Sequence, residues 1–502
     1  MELLHHKFID IVNKNRQKVA IHDVATGKDL SYEKILIGSF IMASNIKKSA
    51  SHYIGIMVPN SAGCILTILG TLFAGKIPVM INYSTGAINN CKYAMDFVGF
   101  DTVYTSSKLL EKLNIEKIEN MICLEDIISS VGSFTKIKAA LKSKMAFQFA
   151  HKPNPDTPAV ILFTSGSEKN PKAVVLSHEN ILHNLEGIQN RLKVTSDDTF
   201  LGVLPLFHVF GLTTTFWLPL TIGSSLVAVP NPLEYSRVAE LAKKYRPGAM
   251  TATPAFFHNY NLKSNQGDFS SLKFAVSGGD KLSDKIFDDF YDKHKVKLLE
   301  GYGTTETAPV ISTNSPEIFK KGSIGKPLAN IEVKIVSLET DDVLPNGKIG
   351  KILVKGGNVM SGYLYDQEET SYRIHRGWYD TGDMGVMDKD GYLHHHGRLK
   401  RFVKIAGEMI SLPNIEYYAE KCICSNCLCC AVDIPHPVKG SEIWLCIAGE
   451  FDEKRLKKDL MEYLPNISLP KKYIKFKEFP MMGNGKVNFR EVANLCKKML
   501  RH

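Results

Sequence analysis

Short apolar runs alternate with amphipathic stretches along most of the chain. Residues 54–59 form a compact apolar run and predict a strand. Residues 62–75 carry a helical apolar pattern, and 77–82 predict a second strand. Further apolar runs at 159–164, 224–229 and 274–277 are bounded by Gly, Pro or Ser. Such alternation predicts α/β sheets. From about residue 331 the pattern changes. Strands expected at 331–336, 351–355 and 392–396 are punctuated by Asn346-Gly347 and Asp390-Gly391, so an antiparallel meander or small barrel is expected there. Residues 199–233 carry no charged side chain apart from His208, neutral by default, and are long enough to span a bilayer. Pro205, Pro219, Pro230 and Pro232 break that stretch, and Gly202, Gly211 and Gly223 punctuate it. A buried helix followed by a buried strand is the expectation, and such a stretch can also line a pocket for an apolar ligand.

Composition narrows the class. The 502 residues suggest two to four domains, and 44% hydrophobic with 23% charged residues exclude global disorder. Lys+Arg 62 against Asp+Glu 52 leaves +10, which suits acidic or phosphorylated partners. No recognised motif supports nucleic-acid binding, and none is expected. The N-terminus mixes His5, His6, Lys7, Asp10 and Lys14 among apolar residues, without the uninterrupted apolar core of a signal peptide. A cytoplasmic protein without a transmembrane segment is expected, with contact at the inner face of the membrane left open. Ten cysteines make no disulfide framework and point to a reducing compartment. Cys422, Cys424, Cys427, Cys429 and Cys430 cluster, with Cys446 following. A thiolate metal site is the sharp reading. Strand alternation and the ordinary burial of cysteine argue for a structural role instead, and no metal role is assigned to His394, His395 or His396.

The chemistry begins after the apolar run 159–163. Thr164-Ser165-Gly166-Ser167-Glu168-Lys169-Asn170-Pro171-Lys172 offers hydroxyls, a glycine and two lysines, a composition that can cradle phosphate oxygens. It lacks the Gly-Lys-Ser/Thr ending of a Walker A loop, and composition alone leaves an ordinary Ser/Gly turn open. Further segments follow in order: Gly301-Tyr302-Gly303-Thr304-Thr305-Glu306, Trp378-Tyr379-Asp380-Thr381-Gly382-Asp383, Gly397-Arg398-Leu399-Lys400-Arg401, Lys404-Ile405-Ala406-Gly407-Glu408 and Asn484-Gly485-Lys486. Together these six motifs resemble the signature set of the adenylate-forming superfamily: acyl-CoA synthetases, nonribosomal adenylation domains and luciferases. Residues 75–83, 204–208 and 401–408 resemble most closely the acyl-[acyl-carrier-protein] synthetases, including the synthetase half of the bifunctional 2-acylglycerophosphoethanolamine acyltransferases. No counterpart of the acyltransferase half is expected. The phosphate loop departs from the family pattern at Glu168, Lys169 and Ala173.

The resemblance implies an α/β fold with a large N-terminal domain of stacked mixed sheets, residues 1–399, including a β-rich subdomain at about 325–399. A small mobile α+β domain, 400–502, would follow. It implies ATP and Mg²⁺, with Lys486 bridging the substrate carboxylate and the α-phosphate, and Glu306 holding the metal. Thr164, Ser165, Gly166, Ser167, Lys172, Thr304 and Thr305 would meet phosphate, and Gly301 and Gly303 flank Tyr302, which would stack on adenine. Gly278 and Gly279 would let backbone approach the base. Asp383 would accept from the ribose hydroxyls, Arg398 would donate to ribose or phosphate, and His208 would abut the carboxylate and gate an acyl tunnel. Lys400 matches the hinge, and Gly407 the thiol tunnel. The reaction implied is activation of a medium- or long-chain fatty acid as acyl-AMP, then transfer to the phosphopantetheine thiol of holo-acyl-carrier protein. Transfer to coenzyme A is the alternative. A degenerate fatty-acid or nucleotide-binding module is the alternative of another class, against which the retained Lys486, Glu306, Asp383 and Arg398 argue.

Overall fold

The computed structural model describes residues 2–164, 171–405, 408–424, 427–436, 440–481 and 487–499, with backbone alone at a few of them. Six parallel strands form the centre of a nine-stranded sheet. Leu298–Gly303, Phe274–Ser277, Ala249–Ala252, Thr199–Gly202, Ser225–Ala228 and Val19–Asp23 lie side by side, with antiparallel strands at both edges. A seven-stranded sheet pairs Met121–Cys123, Val103–Thr105, Tyr53–Ile56, Ile77–Met80 and Pro158–Phe163 in parallel. Ala173–Ser177 and Gly362–Tyr363 close it antiparallel.

Strand alternation sorts the side chains. Phe200, Leu226 and Ala228 join Val160, Leu162 and Val174 in the core shared by the two sheets. Their chain neighbours Leu201 and Val227 pack with Met250, Phe257, Phe269 and Phe290 on the outer face of the larger sheet. Ile161 and Val175 do the same on the outer face of the smaller one. Helix His178–Leu192 lies in the shared core. It starts at Ser177 with a capping box closed by Asn180 and buries Ile181, Leu185, Ile188 and Leu192 along one stripe.

Beyond these sheets Glu332–Val336, Gly350–Lys355, Trp378–Met387, Ile374–His375 and Leu393–Arg398 form an all-antiparallel sheet, in the region where a meander was expected. A smaller C-terminal domain follows. It contains the hairpin Phe402–Ile405/Glu408–Ser411, the sheet Leu428–His436/Gly440–Ala448/Lys472–Phe476, and helices Leu412–Cys422, Glu453–Leu460 and Phe489–Met499. The α/β architecture is thus the one the sequence implied. In that last sheet Cys429, Ala431 and Leu445 face one apolar cluster, whereas Cys430, Val432 and Cys446 face the other. One pairing bears on the expectation of a reducing compartment without a disulfide framework. Cys424 and Cys427 are joined by a disulfide, their Cα atoms 5.3 Å apart and so within bridging reach.

The uncharged stretch 199–233 resolves into strand Thr199–Gly202, a π-helix Gly211–Trp217 continuing into Leu218–Ile222, and strand Ser225–Ala228, nearly all buried. Among the described residues no helix is long and apolar enough to cross a membrane.

Candidate active site

The parallel strands of the larger sheet deliver their carboxyl ends to one place, where open α/β sheets present ligand sites. Thr199–Gly202 leads to His208, Phe274–Ser277 to Gly278 and Gly279, and Leu298–Gly303 carries Tyr302 next to its last residue. They open on a cleft of about 2300 Å³ that also reaches the C-terminal domain. Its walls bring together His208, Gly278, Gly279, Gly301, Tyr302, Gly303, Thr304, Thr305, Asp383 and Arg398, ten residues singled out from sequence.

Asp383 and Arg398 face each other because their strands pair antiparallel with these two residues in register, next to an irregularity at Met384/Gly385. The Tyr302 hydroxyl donates to Asp383 Oδ2 at 2.7 Å. Asp383 Oδ1 is buried and accepts no hydrogen bond of normal geometry among the described residues, with Arg398 Nε at 3.3 Å and His395 Nε2 at 3.7 Å. Burial alone would raise the Asp383 carboxyl. His395, Arg398 and Tyr302 outweigh burial and hold it below the ordinary carboxylate range. Burial and the Asp383 charge push the Tyr302 phenol well up, so it stays a donor. The result is an ionised carboxylate with one acceptor oxygen in reserve, suited to a ligand hydroxyl. His395 was given no role in the sequence reading. Its ring lies 5.3 Å from that of Tyr302 and extends this cluster. Only the strand register, which places His395 opposite Gly385, brings it there.

The turn after Tyr302 is held tightly. Thr304 caps the short helix Thr305–Thr307, and Thr307 Oγ1 donates to Pro309 O at 2.6 Å. Gly303 is obligatory, because a Cβ there would lie 1.9 Å from Pro309 O. Glu306 projects from this turn and accepts from the Tyr363 hydroxyl at 2.8 Å. Tyr363 also lies under the Lys172 ammonium, 5.2 Å from its ring centre, and the neck of the phosphate loop closes beside it. Thr164 N–H donates to Lys172 O at 2.9 Å, and Lys172 N–H to Thr164 Oγ1 at 3.2 Å. Lys172 does not line the cleft; its ammonium pairs with Glu369, which also holds Arg373 Nε at 2.9 Å. Glu306 and Thr164 are likewise not among the residues that line the cleft. Tyr363, Glu369 and Arg373 escaped the sequence reading because no local pattern marks them. Glu306 is a hard oxygen donor oriented by a phenol and engaged in no ion pair among the described residues, a donor type that fits Mg²⁺.

His208 sits at the entry of the π-helix, its ring 4.5 Å from that of Phe207. Gly211 makes this approach feasible, since a Cβ would lie 2.3 Å from Pro205 O. The same cleft is lined by Ile188, Leu192, Val194, Phe200 and Leu218, all buried or nearly so and apolar. Glu300 lies on the cleft wall, 6% exposed; burial pushes its carboxyl up to about 7, although it accepts the Leu282 N–H. Lys400 falls in the short helix Leu399–Arg401 between the antiparallel sheet and the C-terminal hairpin. Ser165, Gly166, Ser167, Gly407 and Lys486 lie outside the described residues.

A sequence model of the AMP-binding enzymes matches residues 8–364. Curated relatives include the long-chain-fatty-acid–CoA ligase of Bacillus subtilis, 27% identical with 94% of this chain and 89% of that one covered. The long-chain-fatty-acid–CoA ligase of Salmonella typhimurium is 28% identical over 72% and 70%. The 4-coumarate-CoA ligase 1 of Narcissus pseudonarcissus is 26% identical over 82% and 78%. Among solved structures, ATP-bound MatB from Rhodopseudomonas palustris superposes with a TM-score of 0.85 at 23% identity, covering 99% of this chain and 100% of that one.

Proposed function

Because the chain belongs to the AMP-binding enzyme family, and is an AMP-forming acid–thiol ligase, we propose that its acid is a long-chain fatty acid and its acceptor a phosphopantetheine thiol. The observation that carries this reading is the apolar arm of the cleft, Ile188, Leu192, Val194, Phe200 and Leu218, continuous with the polar cluster at Tyr302 and Asp383. A carboxylate held near His208 would leave an alkyl chain in that arm, where each buried methylene contributes about 0.8 kcal/mol.

In this reading Asp383 accepts from the ribose hydroxyls through its reserved oxygen, and Arg398 donates to ribose or phosphate. Tyr302 supports adenine, with Gly278 and Gly279 alongside. Thr304, Thr305 and the loop 164–172 receive phosphate oxygens. Mg²⁺ held at Glu306 would neutralise phosphate charge. A carboxylate oxygen attacks the α-phosphorus and pyrophosphate leaves. The thiol sulfur, its proton lost, then attacks the acyl carbon, and AMP leaves with the bridging oxygen. An anion attacks a polyanion in the first step, so charge neutralisation is the main demand. Lys486 is assigned to it by its motif, and a hinge at Lys400, the proposed domain boundary, would exchange Lys486 for a thiol tunnel at Gly407.

Coenzyme A is the leading acceptor, supported by the relatives named above. Acyl-carrier protein is the second reading. It is favoured by the exposed bases Lys454, Arg455, Lys457 and Lys458 on helix Glu453–Leu460 and by the exposed Lys471, Lys472, Lys475 and Lys477, charge of the sign that attracts an acidic protein. The test offers acids of increasing chain length with ATP, then coenzyme A and holo-carrier protein in parallel. Long-chain acids should drive pyrophosphate release far better than acetate or an aromatic acid, and coenzyme A should become acylated. Preference for an aromatic acid would overturn the substrate. Acylation of the carrier protein alone, weakened by salt, would transfer the acceptor to the second reading.

A further inference from the structure

Helix Ser133–Lys144 is amphipathic in the inverted sense. It packs against helix Tyr32–Ile46, and its buried residues are the small Ala139 and Ser143. Its large apolar residues face water instead: Phe134, Ile137 and Leu141 are 79%, 60% and 59% exposed, and Met145, one residue beyond, is 50% exposed. Spacings of three, four and four residues put them on one stripe of the helix. Ile128 and Phe149, in the short helices before and after it, are exposed as well. At 3.6 residues per turn Lys138 and Lys142 fall on one flank of the stripe and Lys144 on the other. The Lys142 ammonium stands 5.6 Å over the Phe149 ring. No acidic residue occurs from 127 through 155.

An apolar stripe flanked on its own helix by lysines is complementary to anionic headgroups above acyl chains. A second copy of the chain is a poor occupant, because a two-fold pairing of this stripe would set lysine rim against lysine rim. We propose that the stripe Phe134–Ile137–Leu141–Met145 is a docking surface for an anionic lipid bilayer, with the helix lying in the headgroup plane. The inference does not depend on the identity of the acid.

The experiment is flotation of the full-length protein with phosphatidylcholine vesicles, with and without phosphatidylglycerol. Bound protein should rise at least about tenfold with the anionic lipid and fall with salt. The combined variant Phe134→Ser, Ile137→Ser, Leu141→Ser should lose at least about tenfold of that binding. Lys138→Glu with Lys142→Glu should lose the preference for anionic lipid. Circular dichroism and vesicle-free ligase activity should match the parent in both variants, which keeps a folding defect distinct. Parent-level binding by the triple-serine variant would overturn the proposal. So would a parent dimer, seen by sedimentation, that the serine variant converts to monomer while neither form binds vesicles.

Discussion

Asp383 combines deep burial with an acceptor oxygen that the described residues leave without a hydrogen bond, and its neighbours keep it ionised. Asp383→Asn keeps the shape and the acceptor for Tyr302 but removes the charge facing Arg398 and His395. Hydrogen bonds to charged groups contribute about 1.5–3 kcal/mol, so kcat/KM for ATP should fall about 10- to 100-fold in a pyrophosphate-release assay. An unchanged value would remove Asp383 from nucleotide binding. Glu300 makes a different prediction. Its carboxyl sits at about 7, above the carboxylate range of an unfolded chain, so the folded protein holds a proton the unfolded chain has released. The stability this provides is fully present below about pH 4 and is lost as pH rises through about 7, on the order of 3 kcal/mol in all. Glu300→Gln should flatten that fall, as read by urea unfolding at about pH 5 and about pH 8. Parallel pH profiles for parent and variant would contradict the assignment. Tyr302, Asp383 and Arg398 were legible in sequence because each sits in a contiguous motif. His395, Tyr363 and Glu369 were not, because their partners are set by strand register and by chain segments far apart in sequence.

The turn from Gly303 to Pro309 shows how an element carries the site. It reverses the last parallel strand into Val310–Thr313 and aims Glu306, and only glycine fits at its start. Gly303→Ala must open the turn against backbone, so a loss of about 1–3 kcal/mol in unfolding free energy is expected. Fatty-acid-dependent pyrophosphate release should fall at least about tenfold, because Glu306 and Thr305 move with the turn. Parent-like activity would separate the turn from catalysis. Apolar runs bounded by Gly and Pro placed the strands Tyr53–Ile56, Ile77–Met80 and Phe274–Ser277 to within a few residues. The stretch 199–233 was read as buried from its prolines, yet its π-helix was not legible, since hydrogen-bond spacing leaves no mark on an all-apolar pattern. Helix Ser133–Lys144 escaped for the opposite reason. Its periodicity is plain, but which face meets water is decided by the helix it packs on.

At the scale of the molecule the sheets converge their carboxyl ends on one cleft, and the C-terminal domain closes part of its wall. The two-domain α/β plan was legible because six motifs span both domains, each in its expected order. The cleft's apolar arm was not, because it is assembled from helix His178–Leu192, strand Thr199–Gly202 and helix Leu218–Ile222. The central claim is that a fatty-acid carboxylate oxygen attacks the α-phosphorus of ATP. Fatty acid labelled with ¹⁸O in its carboxylate tests it directly in a turnover with ATP and coenzyme A, read by mass spectrometry of the nucleotide. The account predicts AMP carrying a single ¹⁸O, with unlabelled pyrophosphate. Label in orthophosphate with ADP as the nucleotide product, or AMP formed without label, would contradict it.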